Sequence, residues 1–361
     1  MTTTVYVPRE TAAVSLGAHE IAAKLEAVDG VNVIRNGSWG ASWLEPMLEV
    51  VVGDERIAYG PVSVDDVDGL LEAGFLEGGE HSLRLGPTAD IPYLANQERW
   101  TFFRCGLIDP LSIDDFTARK GFAGLQRAFD IGPAAVIDQV RESGLRGRGG
   151  AGFPAGIKWQ TVADADGDQK YIACNADEGD SGTFSDRILM ESDPLMLIEG
   201  MAIAGYAVGA SKGYLYLRSE YPVTKRVLDK ALAAARDAAW LGEDIQGSGF
   251  SFDIELHLGA GSYVCGEETA MLESLEGKAG VIRYKPPLPA IEGLFGKPTV
   301  VNNVVTLGSV PLILALGSEK YSDYGVNRSK GTLAFQLAGN IKRGGLVEKA
   351  FGLTLRELLE D

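Results

Sequence analysis

The sequence contains few of the residues that commonly bind metals. Only 3 cysteines and 3 histidines occur among 361 residues. The cysteines are too far apart to form a C-x-x-C pair, and the histidines share no spacing with them; these residues are Cys105, Cys174, Cys265, His19, His81 and His257. We therefore expect no metal site, and no iron–sulfur cluster held by this chain alone. The cysteines are expected to be buried structural thiols.

Basic residues are also in deficit. Lysine and arginine number 33 against 50 acidic residues, which gives a net charge of −17 and disfavours nucleic acid and anionic membrane surfaces as partners. No stretch approaches the roughly 18 consecutive apolar residues of a membrane span, and Met1 to Pro8 lacks signal-peptide features. The sequence thus favours a cytoplasmic protein without membrane insertion.

The first 90 residues have the pattern of a separate α/β domain. Its predicted elements occur in the order strand, helix, strand, hairpin, helix, which is typical of a thioredoxin-like domain; they are Thr3 to Val7, Ala12 to Val28, Val31 to Arg35, Met47 to Val52 with Arg56 to Tyr59, and Val64 to Ala73. No cysteine precedes position 105, so redox chemistry of a dithiol or cluster is not expected there.

Residues 75–100 are rich in glycine and proline and predict a linker. From there to about residue 310, helical and strand patterns alternate, as in proteins with a parallel sheet; the predicted elements are Ala134 to Glu142, Gln169 to Cys174, Pro194 to Val208, Gly213 to Leu217, Val223 to Ala239, Phe252 to Leu258 and Glu267 to Leu275. The tail predicts one exposed hairpin and a helix, which we interpret as an incomplete third domain.

A dense glycine cluster lies at residues 144–156. Gly147, Gly149 and Gly152 match G-x-G-x-x-G, but a helical pattern precedes them, and Pro154 with Gly156 is expected to interrupt a helix behind them. We therefore interpret the cluster as a loop whose backbone N–H groups approach a flat or phosphorylated ligand, with Arg148 and Lys158 supplying charge. A flexible surface loop is the alternative.

Three further segments carry polar groups suited to a ligand: Gly259 to Thr269, Asn175 to Asp180 and Thr299 to Thr306. The first two follow predicted strands, where α/β sheets bind ligands. Simpler alternatives remain: ordinary first-turn acids for Glu267 and Glu268, a solvated acidic turn, and helix caps for the asparagines. Lys285-Pro-Pro predicts a rigid segment presenting one ammonium, or a plain linker.

These motifs resemble the 51 kDa-type FMN- and NADH-binding subunit shared by respiratory complex I (its F subunit), NAD-reducing hydrogenases and NAD-dependent formate dehydrogenases. The resemblance rests on five stretches in the family's order: Gly147 to Trp159, Asn175 to Glu178 with Gly182 to Phe184, Gly266 to Thr269 with Ser274 to Gly277, Lys285 to Pro287, and Gly296 to Thr299 with Val301 to Asn303. It implies an α/β fold with three parts: a thioredoxin-like domain at residues 1–90, an FMN- and NAD(H)-binding domain with a parallel sheet at 91–325, and the start of a ubiquitin-like (β-grasp, SLBB-type) domain at 326–361.

The resemblance also implies the site residues. FMN would be held by Gly147, Arg148, Gly149, Lys158, Asn175, Asp177, Glu178, Tyr263, Gly266, Glu267, Glu268, Val301, Asn302, Asn303 and Thr306. NAD(H) would contact Gly150, Ala151, Phe153, Lys158, Asp180, Glu268 and Lys285. The flavin would carry the hydride chemistry, so no side chain is expected to act as a general acid or base. Asp180 and Leu288 depart from the complex I pattern, where a glutamate and a phenylalanine are usual.

Additional segments are most similar to the beta subunit of soluble molybdenum- or tungsten-containing formate dehydrogenases; they are Val7 to Arg9, Asn36 to Ser38, Trp43 to Pro46, Glu178 to Gly182 and Ala338 to Lys342. This resemblance implies partner subunits: an alpha subunit with the molybdenum or tungsten cofactor and a gamma subunit with a [2Fe–2S] cluster. Family members continue into a domain whose four cysteines hold a [4Fe–4S] cluster, and those ligands are absent from this sequence. The alternatives are the NADH-oxidising F subunit of complex I, the corresponding subunit of an NAD-reducing hydrogenase, and a truncated non-catalytic flavin-binding module.

Overall fold

The computed structural model describes residues 2–360, which fold into mixed α/β architecture, as predicted. The N-terminal unit contains β1 (Thr3–Tyr6), α1 (Thr11–Ser15), α2 (Ala18–Glu26), β2 (Val31–Ile34), β3 (Leu48–Val52), β4 (Glu55–Tyr59), α3 (Asp66–Glu72), β5 (Arg84–Pro87) and α4 (Pro92–Ala95). Its sheet has the order β2-β1-β3-β4-β5, with β1 and β2 parallel and the other neighbours antiparallel.

Two sequence predictions for this unit are wrong in detail. The single helix predicted from Ala12 to Val28 is divided into α1 and α2, because Gly17 adopts φ 99°, a left-handed conformation that ends a helix. The predicted linker at residues 75–100 contains β5, which pairs with β4 and completes the sheet. A strand of only four residues that includes Gly86 and Pro87 has little apolar alternation, so its pattern did not reveal it.

The central unit consists of a parallel sheet and covering helices. Its elements are α5 (Ile113–Ala118), α6 (Ala123–Ile131), α7 (Pro133–Glu142), α8 (Ala155–Asp164), β6 (Tyr171–Ala176), α9 (Ser185–Ser192), α10 (Pro194–Val208), β7 (Lys212–Leu217), α11 (Pro222–Asp237), β8 (Asp253–Leu258), α12 (Glu268–Leu275), β9 (Thr299–Asn303), α13 (Val304–Leu316) and α14 (Ser318–Ser322). The sheet order is β8-β7-β6-β9, with all pairs parallel. The apolar helices α10 and α13 are buried almost throughout and form the centre of the core.

The C-terminal segment contains β10 (Gly325–Val326), β11 (Ser329–Lys330), β12 (Thr332–Leu337), β13 (Gly345–Ala350) and α15 (Leu355–Glu360). The expectation of an exposed hairpin is wrong, since β12 and β13 pack on the central unit. Leu346 is fully buried in the main core, and the Glu348 carboxylate accepts hydrogen bonds from the backbone N–H groups of residues 100–102. Between residues 2 and 360, no helix is both long and apolar enough to cross a bilayer.

Buried carboxyl groups join the N-terminal and central units. Glu191 of α9 accepts hydrogen bonds from the N–H and hydroxyl of Thr11, both at 2.7 Å, and Glu10 lies 3.4 Å from the guanidinium of Arg187. Burial, reinforced by the nearby Glu191 and Glu45 and opposed by Arg187, raises the pKa of Glu10 to about 8. The junction therefore holds an acid that favours its protonated form in the folded chain.

This junction predicts a pH-dependent stability. Because the folded-state pKa of Glu10 is raised from 4.5 to about 8, its contribution is fully present below pH 4.5 and is lost as the pH rises through 8. Glu10→Gln should remove this pH-dependent contribution to stability. The free energy of unfolding of the variant minus that of wild type should therefore increase by up to about 1.4 kcal/mol per pH unit. Urea unfolding at pH 5 to 8 measures it. For the exposed control Glu20→Gln, the free energy of unfolding should change with pH as it does for wild type. The same pH dependence in Glu10→Gln as in wild type would contradict the prediction.

Candidate functional site

The site lies at the carboxyl edge of the parallel sheet. Asn175 at the end of β6 pairs in register with Asn303 at the end of β9, so two amide side chains lie side by side at this edge. The loop after β8, residues 259–267, reaches the same edge, and the Asn175 Nδ2 donates a 2.8 Å hydrogen bond to the carbonyl of Gly266. Ligands of open α/β sheets bind at this edge.

The glycine loop crosses above these strand ends. A Cβ on Gly149 would lie 3.0 Å from the Cβ of Asn303, so only glycine fits there without displacement. Helix α8 begins at Ala155 directly behind the loop, which corrects the prediction that Pro154 and Gly156 interrupt a helix. Pro154 precedes the first helical residue, where proline is tolerated, and Gly156 lets α8 pack against the backbone of Arg141.

The turn between β9 and α13 is held by its own amide side chains. The Asn303 Oδ1 accepts hydrogen bonds from the N–H groups of Val305 and Thr306, so it caps α13, and its Nδ2 donates to the buried carboxyl of Asp186 at 2.7 Å. The Asn302 Oδ1 accepts from the Trp159 Nε1 at 2.9 Å. Asn303 therefore caps α13, as the alternative for the asparagines proposed, and also lies beside the glycine loop.

The acidic segment after β6 is folded inward. Glu178 is buried and accepts hydrogen bonds from the N–H groups of Asp186 and Arg187 and from the hydroxyl of Tyr221. Burial raises the pKa of Glu178, and burial together with Glu178 raises that of Asp186 well above its ordinary value. Burial also raises the pKa of Asp177 to about 6. Burial thus disfavours the charged forms of both Glu178 and Asp186 at this wall of the site.

Two lysines face the paired glutamates at the opposite wall. Lys285 lies 3.0 Å from a Glu267 oxygen and 2.7 Å from a Glu268 oxygen, and Lys158 lies 3.5 Å from the other Glu268 oxygen. Burial lowers the pKa of Lys158, opposed by Glu268. Lys158 also donates to the carbonyl of Val301 at 2.8 Å. Glu267 caps α12 through the N–H groups of Thr269 and Ala270, so the acid that caps this helix also lies beside the site.

Aromatic residues border the opening. Tyr263 is exposed, donates to the Asp180 carboxylate at 2.6 Å and lies against Gly179, where a Cβ would approach its ring to 2.9 Å. Phe153 is also half exposed, beyond Gly150 and Gly152, which have positive φ. The rim of the site therefore presents flat apolar side chains to solvent.

The structure brings the residues implied by the resemblance to one place. Two adjoining cavities of about 580 and 490 Å³ share Gly149, Asn175, Gly266, Glu267 and Asn303 in their walls. All twenty residues that the resemblance implied line one cavity or the other; the first cavity has Arg148, Gly150, Asp177, Glu178, Asp180 and Tyr263, and the second has Gly147, Ala151, Phe153, Lys158, Glu268, Lys285, Val301, Asn302 and Thr306, besides the shared five. Both volumes lie in the ordinary range of ligand pockets.

Several lining residues were missed by sequence reasoning: Thr161, Gly179, Ser185, Asp186, Pro289, Ala290 and Gln336. Asp186 lies only two residues after the Gly182 to Phe184 stretch. An acidic residue so close to that motif could have been recognised as a candidate from the sequence. Gln336 lies in a strand more than 150 residues from its partners Phe184 and Ser185, and no local pattern marks it.

The cysteines behave as predicted. Cys105, Cys174 and Cys265 are buried and unpaired with one another, and burial raises the pKa of the Cys105 and Cys174 thiols. Within the described residues 2–360, no group of three or more histidine, cysteine or acidic side chains is arranged to hold a metal.

The protein is thus an α/β protein with a glycine-lined cavity at the carboxyl edge of its parallel sheet, the place where α/β proteins commonly bind nucleotides and cofactors. Residues 140–312 match the family described as the Nuo51 FMN-binding domain. The chain is 52% identical over 257 residues to the NADP-reducing hydrogenase subunit HndC of Solidesulfovibrio fructosivorans, covering 71% of this chain and 52% of that protein. It is 49% identical over 250 residues to the F 2 subunit of NADH-quinone oxidoreductase of Rhizobium meliloti, covering 69% and 59%.

Among solved structures, the crystal structure of an NAD⁺-reducing [NiFe]-hydrogenase in the H2-reduced state is similar, with a TM-score of 0.61 and 30% identity, covering 99% of this chain and 60% of that one. Residues 140–312 of the chain therefore form a domain of the 51 kDa-type (Nuo51) FMN-binding family. The chain spans a little over half the length of the curated relatives it matches.

Proposed function

We propose that this chain is an FMN-containing subunit that exchanges a hydride with NAD(H). The observation that supports it is the convergence of four distant segments, represented by Gly149, Asn175, Glu267 and Asn303, on the walls shared by two adjoining cavities. When bound, FMN supplies hydride exchange with NAD(H) and single-electron exchange with an iron–sulfur cluster.

The residues present fit such a cofactor. The paired cavities have room for a tricyclic ring and a second nucleotide, and the glycine loop offers backbone that no Cβ shields. Lys158 and Lys285 provide positive charge beside carboxylates that can accept hydrogen bonds from a sugar or a ring. We infer that the twenty lining residues that the family resemblance implies form the site for FMN and NAD(H).

The chain's own residues would bind and orient rather than transfer protons. The Lys158 ammonium is fixed by the Val301 carbonyl and Glu268, and Asn303 is fixed by its cap and by Asp186, so these groups need little reordering when a ligand binds. Glu268 contacts both lysines, which restricts the position of its carboxylate. Preorganised polar groups of this kind would hold FMN and NAD(H) in fixed orientations when they bind.

Removal of Lys158 tests the cofactor assignment. We expect Lys158→Met to weaken FMN binding by at least about tenfold, because it deletes the partly buried ammonium beside Glu268 and leaves that carboxylate with Lys285 alone. A fluorescence titration of the purified chain with FMN measures the Kd. Lys297→Met, at an exposed ion pair with Asp168, is the matched control and should bind as wild type does. Unchanged affinity in Lys158→Met would contradict the assignment.

We further propose that the chain acts as the beta subunit of a cytoplasmic NAD-dependent formate dehydrogenase, with an alpha subunit carrying molybdenum or tungsten and a gamma subunit carrying [2Fe–2S]. Several residues of the formate-dehydrogenase-like segments lie at the junction of the N-terminal and central units. Asn36 donates to Glu49 and to the carbonyl of Gly106, and the N–H of Ser38 donates to the Ser192 hydroxyl. The distinctive segments therefore help to fix the arrangement of the two units.

A hydrogenase-type assembly is the second candidate, because the hydrogenase structure covers 99% of this chain, including its N-terminal unit. Purification of the tagged chain with its native partners distinguishes the two. The first proposal predicts formate-dependent reduction of NAD⁺ by the purified complex. Reduction of NAD⁺ with H2 but not with formate would exclude the formate dehydrogenase.

A further inference from the structure

The C-terminal hairpin contacts the glycine loop through Arg148. The guanidinium of this residue donates to the carbonyls of Lys330 and Thr332 at 2.9 and 3.2 Å and to the Tyr321 hydroxyl at 2.8 Å. It also lies over the ring of Phe351, 4.9 Å from its centroid. Its remaining hydrogen bond goes to the carbonyl of Arg146. The side chain of this loop residue is therefore committed to the C-terminal segment.

The backbone of the same residue faces the site. The N–H of Arg148 donates to the Thr306 hydroxyl at 2.9 Å, and the next residue is Gly149, whose position both cavities share. Gly150 and Gly152 follow with positive φ, so the loop has little conformational restraint of its own. Arg148 is consequently the point at which this glycine-rich backbone is tied to two other elements.

A second contact from the hairpin reaches the first cavity. The Gln336 Oε1 accepts hydrogen bonds from the N–H groups of Phe184 and Ser185, and Glu178 accepts those of the next two residues, Asp186 and Arg187. The first N–H groups of a helix have no acceptor within the helix, and at the start of α9 two side chains that also line the cavity accept their hydrogen bonds. Of these two side chains, Gln336 belongs to the C-terminal segment.

The hairpin is itself firmly attached. Glu348 of β13 is buried and holds the backbone of residues 100–102, and Leu346 is part of the main core. Arg148 and Gln336 therefore connect the ligand cavity to a fixed element rather than to a loose tail.

We propose that the C-terminal hairpin is a wall of the cofactor site, and that Arg148 and Gln336 are positioning residues that set the glycine loop and the start of α9 before the ligand binds. The identity of the ligand as FMN rests on the proposed function. Ordering these segments in advance lowers the entropy lost on binding, so loss of either contact weakens binding although neither side chain need touch the ligand.

The experiment uses the full chain and two variants. Arg148→Lys keeps the charge but loses the planar fork that reaches four acceptors, and Gln336→Met keeps the size but loses the acceptor. Arg343→Lys is the matched control, because its guanidinium lies over Trp43 away from the cavities. Titration with FMN should give a Kd about tenfold higher for each variant and unchanged for the control.

Amide hydrogen exchange separates positioning from a general loss of stability. Even without FMN, Arg148→Lys should speed exchange at residues 149–152, and Gln336→Met should speed it at 184–187, while exchange in β6 and β7 stays as in wild type. In the wild-type chain, added FMN should slow exchange in β12 and β13, and Arg148→Lys should lose this protection.

The outcomes distinguish the two proposals. If the wild-type chain binds no FMN, the proposed function fails, and the exchange at residues 149–152 and 184–187 in the free variants still decides the positioning role. Unchanged local exchange in both variants, or wild-type FMN affinity in both, overturns it. Faster exchange throughout the chain would also overturn it, because the contacts would then serve only overall stability.

Discussion

Gly149→Val should weaken FMN binding by up to about 100-fold while the chain remains folded. A Cβ at this position already lies 3.0 Å from the Asn303 Cβ, and the two valine methyl groups would extend into the region that both cavities share. Overpacking of a closed contact costs about 1–3 kcal/mol, which corresponds to a loss of affinity of about 100-fold at its upper end.

The measurement is a fluorescence titration with FMN, together with circular dichroism to verify the fold. The control is Gly69→Val in α3, where a Cβ meets nothing within 4 Å, so binding should be unchanged. Wild-type affinity in Gly149→Val would show that the ligand does not occupy the space between the glycine loop and β9.

Glu348→Ala should produce the largest loss of stability among single substitutions in the C-terminal segment. The substitution leaves the N–H groups of Trp100, Thr101 and Phe102 without the acceptor that now lies at 2.9 to 3.0 Å, and it also frees the Thr332 hydroxyl. Buried donors without partners cost about 1–3 kcal/mol each, and partial access of water reduces the sum, so we expect a loss of about 3 kcal/mol or more.

Urea unfolding followed by tryptophan fluorescence measures this loss. Glu360→Ala is the control, because Glu360 forms an exposed ion pair with Arg356 that contributes little. A change of less than about 1 kcal/mol in Glu348→Ala would mean that water reaches these N–H groups and that the hairpin is attached mainly through its apolar contacts.

Helices α7, α10, α11 and α12 were predicted from their periodicity or apolar character, whereas the apolar helix α13 was not. The predicted helix Pro194 to Val208 has the observed bounds of α10, because a proline at its start and Gly209 at its end mark both termini. Strands β6, β7 and β8 were predicted within two residues, since β-branched and aromatic runs bounded by turns mark them. The fourth strand of this sheet, β9, was not predicted as a strand. Short elements such as β5 were not predicted either, because pairing with a neighbour rather than local pattern makes them strands.

The membership of the site was predictable from the motifs, whereas the orientation of its side chains was not. Arg148 was expected to supply charge to the ligand, and its guanidinium instead bonds to residues more than 170 positions away. Glu178, Glu267 and Asn303 each bond to the start of a helix and also line a cavity, so a capping role and a place in the cavity wall are compatible. Long-range partners of this kind leave no periodic trace in a single sequence.

A crystal structure of the purified chain grown with FMN tests the central claim most directly. We expect one FMN per chain, with density in the space enclosed by Gly149, Asn175, Glu267 and Asn303. Density for FMN at any other surface, or a saturated crystal in which this cavity contains only water, would contradict it.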